Sequence, residues 1–512
     1  MLFKNIKAVF LSNIIIQIVG IAASFVIKSF IGPSLMGIWN LVSIIIDYIQ
    51  RFNLGTPTAA QREIPYYLGQ GNLDMERKVR ETFFSVIILE VFLASGVFLL
   101  YFFIKGDFLA ISFWFLYLLA PFYALANRIY VAMLVCFQSR QQFVELSKQN
   151  VYISIAGIFF TVLGGWLGGI IGLFIGFAML YMFRIYLGLM LAHKTGFSFT
   201  VKFHPTVFRE LFKLGAPMEI ASYLWAVFIS IDSVLAAKWL GVEYLAFYAL
   251  GVNLSKQLSD FPTQVNTIFY PRIMHKYGKE NDLKGLSQDF LAFFIGNLLV
   301  VIPFLCLAAL LLLPWLIRTL IPSYSPAIPS ARVLLFSMFF VPQMHILMSV
   351  FSMKKQVGRL MFFNALALAI TFVSIIIFNY KGANLLAIAA GTLVGYAIFF
   401  LFVFIFSTRE LLSLNEKIRV ILFQFGVFCF TIATLLILEK AFPVCYSSWF
   451  VDLAYTLLKM LIAFLLCLPI AIYGLKSSNA WEQVKQEMGS TWNGLRFKIR
   501  SCIPEIGSQE ED

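Results

Sequence analysis

From its first residues onward the chain is divided into apolar stretches of about 20 residues, the length an α-helix needs to cross the hydrocarbon core of a bilayer. Fourteen such stretches can be read: 8–31, 35–57, 82–104, 109–136, 148–167, 169–192, 213–239, 243–269, 288–320, 326–353, 359–379, 383–407, 417–438 and 449–475. Inside lipid, a single segment satisfies its own backbone only as a helix. The expected fold class is therefore an all-α polytopic membrane protein with about 14 transmembrane helices. Composition agrees, with 60% hydrophobic and 13% charged residues against about 45–50% and 25% in soluble domains.

The N-terminal apolar run is too long for a signal-peptide core, and no exported domain follows it, so it reads as the first transmembrane helix. The net charge is +13. The basic residues form no stripe that could track a nucleic-acid backbone. Instead about two-thirds of them gather on alternate connections and at the two ends, which places both termini in the cytoplasm. The outer connections are short and leave no room for an external catalytic domain. Cys136, Cys306, Cys429, Cys445, Cys467 and Cys502 show no CxxC spacing, and His193, His204, His275 and His345 are scattered, so no metal site is expected. No P-loop, HExxH or GxSxG motif occurs. Residues Trp481, Val484, Met488, Trp492, Leu495 and Ile499 recur at helical spacing and suggest an amphipathic helix on the cytoplasmic leaflet. The acidic end, Glu505 to Asp512, reads as disordered.

A displacement of 209 positions lays the beginning of the chain on its middle. Leu2-Phe3-Lys4 meets Leu211-Phe212-Lys213, Ser24 meets Ser233, Gly32 meets Gly241 and Leu41 meets Leu250. The implied organisation is two pseudo-symmetric six-helix lobes, 1–195 and 196–410, then two further helices in 411–476 and a cytoplasmic tail, 477–512. Six is an even number, so the repeats are parallel and the substrate site is expected between them. The same displacement sets Asp47 and Arg51 against Lys256 and Asp260, two i,i+4 pairs of opposite sign.

Polar residues line one face of several spans. Helix 1 carries Asn13, Gln17, Gly20, Ser24 and Lys28; helix 2 carries Asn40, Ser43, Asp47 and Arg51. Helix 7 carries Glu219, Ser222, Ser230 and Ser233; helix 8 carries Asn253, Lys256, Asp260, Gln264 and Thr267. Such stripes suit an aqueous cleft, although Ser, Asn and Gln also serve simply to join helices. A charge at the membrane centre costs from about 2.5 to over 10 kcal/mol, so Glu90, Arg128, Arg184, Asp232 and Lys459 also need an account. Arg128 and Arg184 can reach the cytoplasmic boundary by snorkelling. His345 reads as a satisfied interior histidine.

The segments SNIIIQIVG, IGPSLMGIWNL and NLGTPTAAQREIPYYLGQGN resemble the polysaccharide exporter family, Wzx-type flippases of the multidrug/oligosaccharidyl-lipid/polysaccharide (MOP) superfamily. LFKLGAPMEI, ISIDSVLAAKWLGVEYLAFYAL and FYPRIMHKYGKEND agree in the second half. The resemblance implies alternating access between two lobes in a bacterial inner membrane. The cargo would be a polyprenyl-pyrophosphate-linked oligosaccharide, an O-antigen or other surface-polysaccharide unit. Its partners would be membrane lipids, a polysaccharide polymerase and glycosyltransferases, with no nucleic acid. No cofactor is implied beyond H+ or Na+ coupling. Lys28, Arg51, Arg128 and Lys256 could meet the pyrophosphate. Asp47, Asp260, Glu219 and Asp232 are candidates for gating or ion coupling, and Asn13, Gln17, Ser24, Asn253 and Gln264 for the polar cavity wall. Asp47–Lys256 and Arg51–Asp260 contacts between lobes would hold one state. A cation-coupled multidrug exporter of the same superfamily and a non-transporting scaffold for glycan assembly remain as alternatives; an enzyme is not expected.

Overall fold

The computed structural model describes residues 17, 19–105, 118–139, 142–195, 200–280, 301–353, 356–380, 382, 384–442 and 449–477. Among these, nine helices are long and apolar enough to span a membrane, or ten when one bent pair counts as a span. Phe92, Leu100, Phe159, Trp166, Ile377, Leu422 and Leu461 are exposed. Outward apolar surface on that scale is unsuited to water and suited to lipid.

The first set of helices comprises α1 (Val19–Ile31), α2 (Pro33–Arg51), α3 (Thr56–Gly69), α4 (Leu73–Lys105), α5 (Ala120–Ser139) and α6 (Phe143–Lys194). The second set comprises α7 (Pro205–Phe228), α8 (Ile231–Leu240), α9 (Val242–Glu280), α10 (Ile302–Leu320), α11 (Ile328–Leu335), α12 (Val341–Met353), α13 (Val357–Phe378) and α14 (Leu385–Ser407). Two more, α15 (Leu414–Ala441) and α16 (Trp449–Ser477), follow. The chain packs as two units, Met1–Ile268 with Leu312–Ser407, and Phe269–Leu311 with Thr408–Asp512. In the second unit α15 packs on α16, Phe304 meets Phe464 at 4.9 Å, and a Ser413/Glu416 capping box starts α15. The expected tail helix, 481–499, and the acidic end lie outside the described residues.

Several spans depart from their expected form. The 52 residues of α6 would measure about 78 Å as one helix, far more than a bilayer. Gly168 and Gly169 leave helical geometry, and the two arms run back along each other with Gly164 on Gly172 and Phe160 on Gly176. The reversal falls where the sequence divided 148–167 from 169–192. Helix 2, expected to continue to residue 57, stops at Arg51. Gly55 adopts a left-handed conformation, and Thr56-Pro57 starts α3 as a new helix. The span expected at 213–239 is divided into α7 and α8, bent by 41°. The one expected at 326–353 is a chain of 3-10 and α pieces, Pro322–Ala327, α11, Phe336–Phe339 and α12, in a segment carrying Pro326, Pro329 and Pro342.

Gly32 and Gly241, 209 residues apart, precede α2 and α9 with φ 77°, ψ 169° and φ 97°, ψ 176°. Only glycine occupies this region readily, so the repeat read from sequence coincides with a repeated backbone turn.

The two sets touch at both ends of α2. At one end Gly37 lies so close to Val242 that a β-carbon would meet its carbonyl oxygen, and the Tyr324 hydroxyl donates to the Gly32 carbonyl at 3.3 Å. At the other, about 24 Å along the helix, Gly55 and Gly215 meet backbone to backbone. Between them Tyr48 and Ser230 share a hydrogen bond of 2.9 Å. Glu81 on α4 accepts from Thr200 at 2.9 Å and pairs with His204 at 3.0 Å, fastening the start of α7 to the first set. A methyl group at Gly215 has nowhere to go, because its neighbour is backbone rather than a movable side chain. Gly215→Ala is therefore expected to part α3 from α7. Water-soluble maleimide labelling of a cysteine at Leu214, half-buried beside α3 and α4, should rise several-fold; unchanged labelling would show that this contact does not keep the end closed.

Candidate substrate cleft

Glu90 on α4 is the anchor of the Asn53 end. Its Oε1 accepts from the Leu54 N–H at 2.8 Å and the Thr56 hydroxyl at 3.2 Å, so a carboxylate sits at the start of α3. Its Oε2 pairs with Arg128 of α5 at 3.5 Å, and both side chains are buried. Arg128 therefore neither snorkels nor stands free in a cavity: its length is spent reaching inward to Glu90.

Asn53 joins the two sets. Its Oδ1 accepts from the Gly55 N–H at 2.8 Å, an Asx turn that shapes the break. Its Nδ2 donates to Glu219 Oε1 on α7 at 2.7 Å, and its backbone N–H donates to the Tyr223 hydroxyl at 2.5 Å. Thr58 also bonds Glu219, and Arg51 and Arg128 lie within its electrostatic reach. Arg51, expected opposite Asp260, thus lies within electrostatic reach of Glu219 and Asp47. Among the described residues neither Arg51–Asp260 nor Asp47–Lys256 forms an ion pair within 4.0 Å in this conformation. Asp47 and Lys256 are exposed and within electrostatic reach of each other. Lys256 is also felt by Asp260 on its own helix.

The helix 1 stripe borders a cavity of about 270 Å³ together with α2, both arms of α6 and Asn253 of α9. Ser24, Lys28, Asn40 and Arg184 lie in its wall, with Trp39 stacked on Phe177 at 4.2 Å. Lys28 is 5% exposed and donates to the Ser24 hydroxyl, its one hydrogen-bond partner among the described residues. Arg184 lies over Tyr181 and Tyr130 and touches the Asn127 amide at 3.4 Å. Among the described residues no carboxylate lines this cavity. A buried Lys28 beside a half-buried Arg184 makes a positive cavity wall suited to an anion. Gln17 is half-buried; Asn13 lies outside the described residues, and of the Gln264 side chain nothing is described.

A second cavity, of about 690 Å³, lies between α7, α12 and α13, with Arg51, Thr58 and Arg62 contributed by the first set. Asp232, 2% exposed, lies apart on α8. It accepts from the Ser233 N–H at 2.7 Å and the Tyr248 hydroxyl at 2.8 Å, with Thr392 at 3.5 Å and no basic partner among the described residues.

Sequence reasoning missed Asn53, Tyr223, Trp225 and the cavity position of Arg184. The run Asn-Leu-Gly-Thr-Pro carried a turn signature that could have marked the first. Nothing local marks the others.

Solved structures share this arrangement of helices. One described as the lipid II flippase MurJ in an inward closed conformation matches with a TM-score of 0.58 at 13% identity, covering 91% of this chain and 98% of that one. A mutant of the Vibrio cholerae MATE transporter VcmN matches at 0.56 and 14%, over 83% and 98%. An inward-facing multidrug resistance MATE family transporter of the MOP superfamily matches at 0.54 and 11%, over 78% and 98%. The likeness is one of fold: a multi-span helical membrane protein with the helix arrangement of these MOP-type structures. Residues 2–276, more than half the chain, match the polysaccharide biosynthesis protein family, and the chain belongs to it. No curated protein sequence matches the chain.

Proposed function

We propose that the protein moves a polyprenyl-pyrophosphate-linked oligosaccharide, such as an O-antigen or other surface-polysaccharide unit, from the cytoplasmic to the outer leaflet of a bacterial inner membrane. The observation that carries this reading is Lys28, a buried cation with no acidic partner among the described residues, in a cavity it shares with Arg184. A pyrophosphate supplies the missing charge and accepts strong charge-assisted hydrogen bonds. In this reading the termini and the Asn53 end are cytoplasmic, and the Gly32 end faces outward. The Asn53–Glu219–Arg51 group is the inner gate, opening by alternating access between lobes 1–195 and 196–410. Asp232, held only by hydroxyl and amide donors, is the group we assign to H+ or Na+ coupling. A multidrug exporter for cationic compounds would be served by acids in the cavity wall, where this chain has Lys28 and Arg184.

The test is the sidedness of lipid-linked oligosaccharide in cells with and without the gene. Intermediate should accumulate in the cytoplasmic leaflet without it and return on complementation; unchanged sidedness would point to the drug exporter. Asp47 and Lys256 supply a second check. Their electrostatic coupling predicts that Asp47→Lys combined with Lys256→Asp restores more flipping than either change alone. A double variant no better than the worse single one would show that this pair does not couple the lobes.

A further inference from the structure

The 690 Å³ cavity is not explained by a pyrophosphate alone. Its size falls within the roughly 300–1,000 Å³ of small-molecule sites, and its wall is of mixed character. The half-buried indole of Trp225 is backed by Phe228 at 5.1 Å and by the edge-on ring of His345 at 5.0 Å. Asn364 is 2% exposed; its Nδ2 donates to the Ala221 carbonyl at 2.7 Å, while its Oδ1 is buried with no partner among the described residues. A buried acceptor left unmade is costly. Ser222 and Arg51 complete the polar part of the wall, and Arg51 has no ion pair within 4.0 Å among the described residues.

A flat aromatic face beside an unmet acceptor, a hydroxyl and an imidazole matches the two surfaces of a pyranose ring, one of C–H groups and one edge of hydroxyls. An isoprenoid tail has no donor to offer Asn364. A bare phosphate has no use for the indole.

We infer that this cavity, lined by Trp225, His345, Asn364 and Ser222, is the saccharide subsite, taking the head sugar of the lipid-linked glycan against Trp225. This rests on the flippase reading and adds to it: the sugar is recognised largely by α7, α12 and α13, and the pyrophosphate bonded to it falls beside Arg51, not in the Lys28 cavity, while the sugar lies on Trp225. Arg51 at the edge favours sugars or linkages that carry negative charge.

The experiment measures binding to the full chain in nanodiscs, by native mass spectrometry, with two probes. One is polyprenyl pyrophosphate; the other is the same carrier bearing an N-acetylhexosamine. Trp225→Ala should weaken the sugar-bearing carrier about tenfold, on the order of one lost aromatic contact, and leave the bare carrier unchanged. Trp225→Phe should recover most of the loss, and thermal unfolding of each variant checks that it is folded. Equal loss for both carriers, or none for either, overturns the subsite. Wild-type protein that binds neither carrier overturns the flippase reading itself.

Discussion

Lys28→Met is expected to abolish flipping while leaving the protein as stable as before, or slightly more so. The two effects have one cause. Among the described residues the ammonium bonds only Ser24 and no carboxylate lines its cavity, so removing it breaks no ion pair there and relieves a buried charge. Stability therefore has little to lose. Binding has much to lose, because a lysine on a phosphate makes charge-assisted hydrogen bonds worth about 1.5–3 kcal/mol. Affinity for polyprenyl pyrophosphate should fall roughly 10- to 150-fold. Thermal unfolding and carrier binding, measured on the same preparation, separate this from a structural role. A variant that unfolds earlier and binds normally would assign Lys28 to packing.

Glu90→Ala should have the largest effect on stability. It leaves Arg128 buried without its carboxylate and takes the acceptor from Leu54 and Thr56 at the start of α3. Breaking one side of a buried pair costs about 3–5 kcal/mol, whereas replacing both sides by neutral groups of similar shape costs far less. Glu90→Gln together with Arg128→Met keeps an oxygen for the Leu54 N–H and removes the orphan cation. Denaturant unfolding in bicelles should place the double variant close to wild type and well above Glu90→Ala. If the double variant is the less stable of the two, the pair does not act as a unit.

The two residues differ in how they could be read from the chain. Lys28 belongs to a stripe at helical spacing, of which Gly20, Ser24 and Lys28 line the cavity. Arg128 lies in an apolar run with no local sign of its partner. Its pairing with Glu90, 38 positions away, follows from α4 packing on α5. The displacement of 209 set Asp47 against Lys256. Which acids would lie near Arg51 was not legible: the Asx turn at Asn53 ends α2 early and brings in α7 with Glu219.

What the sequence by itself determined is therefore the membrane class, most of the span positions, the alignment of Gly32 with Gly241, and the polar stripe of α1. Each is written in the spacing of neighbouring residues, because span length, helical period and glycine-only dihedrals are local properties of the backbone. The tertiary structure alone decided which buried charges neutralise one another, which stand unpaired, and where Trp225 and Asn364 enclose a cavity. Those outcomes depend on which helix faces meet. Many apolar faces pack equally well in lipid, so close approaches such as Gly55 on Gly215 and single polar bonds such as Asn53 to Glu219 select among them.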